Sequence, residues 1–364
     1  MTRAFIVDKT SFAKYFDSDK EDLIMKKLLV LISLPIFCLC SCSRQQEEPK
    51  EKPINVFVLA GQSNMEGNTQ FDDGDGKHYL QDGLAELNID ESVDDLKNEG
   101  IPEVQTSYFV GPAFNQSEIH GSNEENPIAG KFLPTKLGMG AGSNHDQFGP
   151  EVGAAYVLKE YASEDEPIYF VKAAYGGSSI AGNWNINSET GLYQNRLVKF
   201  LNNNLQIIEE QTGKKPAVKG LLWHQGENDA NNGSTYKQNL SNLVSRFRTD
   251  FASYAPEEDG DNIAFIDCYI FDKGDSDSAR LPSNVDVGTM KVLNNAKKEF
   301  SEESDMNFVV NSSWQYEGGL KLQVNESADG VDHGGVGGQH YWAGDLFKLG
   351  MEYANIIVEN NLLD

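Results

Sequence analysis

Five apolar, β-branched runs punctuate the chain: Ile54–Ala60, Pro167–Ala173, Ala217–His224, Ile263–Ile270 and Asn307–Val310. Each is nearly continuous rather than alternating, the pattern of a strand buried on both faces. Between them the apolar positions recur three and four apart. "PEVGAAYVLKEYA" (Pro150–Ala162) opens on proline and carries such a stripe; "LYQNRLVKFLNNNLQIIEEQTG" carries another and stops at Gly213. Tyr236–Phe251, Thr289–Phe300 and Leu346–Val358 read the same way. Buried strands alternating with amphipathic helices predict an α/β protein with a central five-stranded parallel sheet covered by helices on both faces, a three-layer α/β/α sandwich. The stretch 68–146 breaks the rhythm. It is rich in Gly, Asp and Asn, has one short apolar patch near Tyr108–Val110, and is expected to be a long insertion beside a site.

The N-terminal region reads differently. Residues 1–24 look like an upstream extension before Met25. "MKKLLVLISLPIFCLCSC" has two lysines, a short apolar run from Leu28 to Leu39, and then small residues. That is the pattern of a signal peptide over 25–41, with too few apolar residues to span a bilayer comfortably. Its end, Leu39-Cys40-Ser41-Cys42, resembles a bacterial lipobox, which implies lipid on Cys42. Residues 42–53 then form a polar tether to a domain at 54–364. The expectation is an exported bacterial lipoprotein, in the periplasm or on the outer-membrane surface, touching membrane only through its lipid. Three of the four cysteines fall in this segment; the fourth, Cys268, sits in "IAFIDCYIF" and reads as a small buried residue.

The chain of 364 residues has a formal net charge of −26, which argues against nucleic acid as a partner. The acidic runs "FDDGDG" and "KGDSDS" lack EF-hand spacing, so no metal and no cofactor is expected.

In open parallel sheets, ligands bind beyond the carboxyl ends of the strands. Three strands end there in polar, glycine-rich segments: Gly61-Gln62-Ser63-Asn64-Met65, "AAYGGSSIAGNW" and "WHQGENDANNG". A serine on a strand-to-helix turn exposes its hydroxyl, though serine also serves as a plain helix N-cap. There is no G-x-S-x-G, so this is not the nucleophile elbow of α/β-hydrolases.

"GQSNM" after the first strand, "FGPE" opening a helix, "GGSSI…W" and "HQGEND", in that order, resemble the sialate O-acetylesterase and acetylxylan esterase group of the SGNH hydrolases. The resemblance runs from about Asn55 to Ala354. It implies a flavodoxin-like fold and a serine carbohydrate O-acetylesterase acting on an acetylated glycan, xylan-type or sialic-acid-type. It implies Ser63 as nucleophile, with an oxyanion hole from the Ser63 N–H, a glycine N–H and an amide side chain, for which Gly149 and Gln225 are the candidates. Gln62, Asn64, Gly177 and Glu227 are expected in the substrate pocket, and Gly176, Ser178 and Trp184 in its wall. Glu227 and Asp229 read as carboxylates that orient neighbours or hold the loop, and His224 as a scaffold residue.

The family's terminal Asp-x-x-His is absent. Neither His333 nor His340 has an aspartate three residues earlier. His340 is favoured as the base, from its interval to Leu349-Gly350 and from the Tyr341 and Trp342 that follow; His333 is the alternative. Asp332 is the candidate acid and Asp329 the next. The competing expectation is a non-catalytic surface glycan-binding lipoprotein on the same scaffold.

Overall fold

The computed structural model describes residues 52–72, 78–109, 131–141, 145–272, 287–324, 333–335 and 339–364. The described residues belong to one compact unit, Glu51–Asp364, and the expected signal peptide at 25–41, Cys42 and most of the expected tether lie outside the described residues. In chain order this unit contains β1 (Ile54–Gly61), α1 (Ser63–Glu66), β2 (Thr69–Gln70), α2 (Tyr79–Glu86), α3 (Val93–Asn98), β3 (Ile101–Phe109), β4 (Leu133–Thr135) and β5 (Gln147–Phe148). Next come α4 (Glu151–Leu158), β6 (Ile168–Ala174), α5 (Lys199–Thr212), β7 (Pro216–His224), α6 (Gly233–Asp250), β8 (Ala264–Cys268), α7 (Val287–Ser301), β9 (Asn307–Val310) and α8 (Ala343–Glu359).

The main sheet has seven strands in the order β4-β3-β6-β1-β7-β8-β9. The five strands legible in the sequence form its parallel core, β6-β1-β7-β8-β9. Numbered among themselves they run 2-1-3-4-5, the flavodoxin-like order. The expected count of five is corrected by two strands on one edge, β3 parallel to β6 and β4 antiparallel to β3. Both lie inside 68–146, which therefore supplies sheet as well as loop. β3 escapes sequence reading because "IPEVQTSYF" carries Pro, Glu, Gln, Thr and Ser; Thr106 and Ser107 are nevertheless buried, and the Thr106 hydroxyl meets that of Thr135 on β4 at 2.7 Å.

Strand periodicity divides the core in two. Val56, Val58 and Ala60 of β1 face one layer, with Leu197, Leu201, Leu240, Phe247 and Leu293. Phe57 and Leu59 face the other, with Val152, Leu346, Phe347 and Tyr353. Helices α5, α6 and α7 thus cover one face, and α4 and α8 the other. The last two cross closely enough that a Cβ on Gly350 would stand 2.0 Å from the Pro150 carbonyl oxygen.

β1 is central, with β6 on one side and β7 on the other, and consecutive strands diverge from it. Its carboxyl end is therefore a topological switch point, where the flanking loops splay apart and leave a crevice. Gly61 makes the exit possible. Its φ is 141°, and a Cβ there would lie 2.0 Å from the His224 carbonyl oxygen on β7.

Candidate active site

Ser63 is the first residue of α1, immediately past this exit, and is partly exposed. It lines a cavity of about 380 Å³ together with Gln62, Asn68, Gly176, Gly177, Glu227, Asn228, Gln339 and His340. A residue near the start of the domain and a histidine from its far end thus share one cavity. His333 lies elsewhere, in a cavity of about 770 Å³ beside α2 and α8, its ring stacked on Trp342 at 3.7 Å. Asp332 and Asp329 lie outside the described residues.

Asn64 ties the histidine segment to the serine turn. Its Nδ2 donates to Glu227 Oε1 at 2.8 Å and to the Gln339 carbonyl at 3.2 Å, while its Oδ1 accepts from the Tyr341 N–H at 3.4 Å. A carbonyl can only accept and a peptide N–H can only donate, so the amide has one orientation. The two backbone contacts bracket His340. Asn64→Ala is expected to lower kcat about 10²-fold with KM within about threefold, since a small displacement of a catalytic group is costly. Steady-state kinetics on an aryl acetate, beside a thermal melt, checks it.

Beneath this clamp the polar groups are buried. Burial holds the His224 imidazole well below its ordinary 6.5, with Lys297 and then His340 adding to the effect. The neutral ring contacts the Tyr341 hydroxyl through Nε2 at 3.3 Å. Its Nδ1 is 3.7 Å from Glu227 Oε1, which for a neutral ring is no ion pair. His224 is a scaffold residue, as its place before the amide suggests. Burial raises the Glu227 carboxyl, and its Oε2 makes no hydrogen bond among the described residues.

The structure gives Gly149 and Gln225 other duties. The Gly149 N–H donates to Glu151 Oε1 at 3.0 Å, and Glu151 forms a fully buried ion pair with Lys172 of β6 at 2.8 Å. "FGPE" therefore fastens the start of α4 to the sheet. Gln225 is completely buried. Its Nε2 donates to Asp229 Oδ2 at 2.6 Å, the Ser178 carbonyl at 3.0 Å and Gln62 Oε1 at 3.2 Å, and its Oε1 accepts from the Tyr236 hydroxyl at 3.0 Å. Asp229 in turn accepts the Ile180 N–H at 2.7 Å, and burial raises its carboxyl. "HQGEND" is thus a buried frame joining β7 to the "GGSSI" loop. Neither Gly149 nor Gln225 lines the Ser63 cavity.

Ser178 and Trp184, expected in the pocket wall, belong to that frame. Trp184 Nε1 donates to Ser178 Oγ at 2.8 Å, and its ring packs edge-on against Trp223. Gly176 and Gly177 do line the cavity, and Gly177 is open, with nothing within 4 Å of the place a Cβ would take. Sequence reading passed over Glu66, whose Oε2 accepts the Gly176 N–H at 2.8 Å and so fixes the second loop against α1. The signal was present: a glutamate directly after "GQSNM" in an otherwise buried turn. Cys268 is buried, and burial pushes its thiol up to about 12, in keeping with a packing role.

The His333 cavity offers a separate pH-dependent test. Asp345 accepts the Gln323 N–H at 2.7 Å, and burial pushes its carboxyl from 3.8 up to about 6. The fold therefore holds this proton more tightly than the unfolded chain does. The associated stability is full below about pH 4, falls as pH rises to about 6, and is level beyond. Asp345→Asn, which cannot titrate, is expected to gain on wild type over that window; urea midpoints across it check the sign.

Residues 114–256, less than half of the chain, match the family described as carbohydrate esterase, sialic acid-specific acetylesterase. The matched span contains the "FGPE", "GGSSI" and "HQGEND" blocks. No curated protein matches the sequence. Among solved structures, NanS is similar at 14% identity over 85% of this chain and 98% of its own, with a TM-score of 0.52. A protein from Arabidopsis thaliana is similar at 16% identity over 85% of this chain and 99% of its own, with a TM-score of 0.50. At these identities the likeness concerns the fold. The family match, together with the order of the sequence blocks and the α/β/α sandwich, supports a carboxylic ester hydrolase resembling the SGNH-type carbohydrate esterases.

Proposed function

We propose that the chain is a serine carbohydrate O-acetylesterase, with Ser63 as nucleophile and His340 as base. The observation that supports this most is that these two residues, 277 positions apart in sequence, line one cavity at the switch point of the sheet. In this reading Ser63 Oγ attacks the acetyl carbonyl and gives its proton to His340. The imidazolium then protonates the departing sugar oxygen, leaving an acetyl group on Ser63. Water, deprotonated by the same imidazole, attacks that ester and releases acetate. The cavity is open and polar, with amides from Gln62, Asn68, Asn228 and Gln339, which suits a hydroxylated substrate. Xylan-type and sialic-acid-type glycans are the two substrate classes to compare. An aspartate, Asp332 or Asp329, completes the proposal by holding the imidazole tautomer.

Acetate release from acetylated xylan and from O-acetylated sialic acid tests the assignment. Wild type is expected to release acetate from one of them and Ser63→Ala from neither. Glycan binding by both proteins with no turnover by either favours the non-catalytic glycan-binding lipoprotein. The proposal includes export and lipid on Cys42, supported by the apolar run and lipobox pattern of residues 25–42. Among the described residues no helix is long and apolar enough to cross a membrane.

A further inference from the structure

We propose that the cavity of about 770 Å³ beside α2 and α8 is a second sugar subsite, which holds the neutral pyranose unit next to the acetylated one along a glycan chain. This rests on the reading of Ser63 as nucleophile and narrows the substrate to an oligomer of neutral sugars.

The two cavities adjoin. His340 lines the one with Ser63, and Trp342 lines the other. Two positions apart in the chain, their Cα atoms are at most about 7 Å from each other. Tyr341 between them is buried, its N–H donating to Asn64 Oδ1 at 3.4 Å and its backbone bridged to Val324. Successive side chains of extended backbone point to opposite faces. With Tyr341 turned inward, His340 and Trp342 turn outward together. A sugar chain with its acetyl group at Ser63 therefore passes from His340 to Trp342, a step that the next pyranose unit spans.

The lining has the chemistry of a sugar site, an aromatic ring with a few polar groups around it. The Trp342 indole is held by the His333 ring, stacked on it at 3.7 Å and 17°. Gly83 and Gly344, which also line the cavity, let α2 and α8 touch: a Cβ on Gly83 would stand 2.4 Å from the Gly344 Cα. The charged groups thus sit on two helices packed directly together. Asp82 and Glu86 are four apart on α2, and Asp345 and Lys348 three apart on α8, so each pair shares a helix face. Lys321 completes the charged lining. Among the described residues no hydrogen bond or ion pair engages the side chains of Asp82, Glu86, Lys321 or Lys348. A carboxylate can only accept and an ammonium can only donate, whereas a hydroxyl does both. Three carboxylates against two ammonium groups therefore suit the hydroxyls of a neutral sugar and disfavour the carboxylate of a sialic acid.

The double variant Asp82→Ala/Glu86→Ala tests this, since both side chains are exposed on α2 and neither lines the Ser63 cavity. Wild type is expected to show kcat/KM about 10-fold or more higher on acetylated xylotetraose than on acetylated xylose. The double variant is expected to lose about 10- to 100-fold on the tetramer, mostly through KM. On an aryl acetate, which has no second sugar to place, it is expected to stay within about threefold of wild type. Lys348→Ala is used if the double variant does not fold. A readout independent of these variants is a crystal structure of Ser63→Ala with acetylated xylotetraose. A pyranose ring within about 4 Å of Trp342 is the expected result. Equal kcat/KM on tetramer and monomer, an unchanged preference in the folded variant, faster turnover of O-acetylated sialic acid than of the tetramer, or a crystal whose cavity holds no sugar overturns the subsite. Wild type turning over the aryl acetate no faster than Ser63→Ala instead overturns the esterase reading beneath it.

Discussion

Ser63→Ala is expected to lower kcat/KM for an aryl acetate by about 10⁴-fold or more while leaving the fold intact. The two parts of this expectation have separate causes. The contacts that the turn makes through Ser63 are backbone contacts: its carbonyl accepts from the Gly67 N–H at 2.8 Å and from Asn68 Nδ2 at 3.1 Å. Alanine keeps both. What it loses is the hydroxyl, on a residue that faces the cavity rather than capping the helix, since α1 has no side-chain cap. A thermal melt beside the kinetic assay separates loss of chemistry from loss of structure. A variant as active as wild type leaves Ser63 an ordinary turn residue.

The second large effect divides the two histidines. His340→Ala is expected to cost about 10³- to 10⁴-fold in kcat, and His333→Ala to stay within about threefold of wild type. His340 shares the cavity with Ser63 and is bracketed by the Asn64 clamp. His333 lines a different cavity; its carbonyl accepts the Ala343 N–H, and its ring stacks on Trp342. A substitution there disturbs the start of α8 and not the chemistry. The reverse ranking would require the segment after β9 to run differently from the path described above. Measuring both variants with one substrate in one buffer makes the comparison direct.

The fold was legible where burial on both faces demands continuous apolar runs. All five parallel strands of the core announce themselves this way, and with them the edge of the sheet where the site lies. β3 and β4 were not legible, because β3 carries Pro, Glu, Gln, Thr and Ser in place of a continuous apolar run and the three residues of the edge strand β4 are too few to show a pattern. The site was legible as blocks but not as duties. "FGPE" and "HQGEND" are rich in groups that suit an oxyanion hole, yet in the structure those groups satisfy one another: Gly149 with Glu151, and Gln225 with Asp229, Ser178 and Gln62. Which amide is spent in the frame and which is left for a substrate depends on hydrogen-bond partners far apart in sequence. Local spacing cannot supply that. The same holds for His340 and His333. They stand only seven positions apart, and the helix start at Ala343 and the clamp from Asn64 send them to different cavities. The two candidate aspartates, Asp332 and Asp329, lie outside the described residues, and the sequence lacks the Asp-x-x-His spacing that would single one out.

In the proposed mechanism one hydroxyl, Ser63 Oγ, is the activated nucleophile. Treating wild type with an aryl alkylphosphonate and locating the adduct by peptide mass spectrometry tests it most directly. One phosphonyl group per chain is expected, on the peptide holding Ser63, with acetate release lost in step with labelling and no adduct in Ser63→Ala. Labelling on another residue, or an unlabelled chain that goes on releasing acetate, would contradict it.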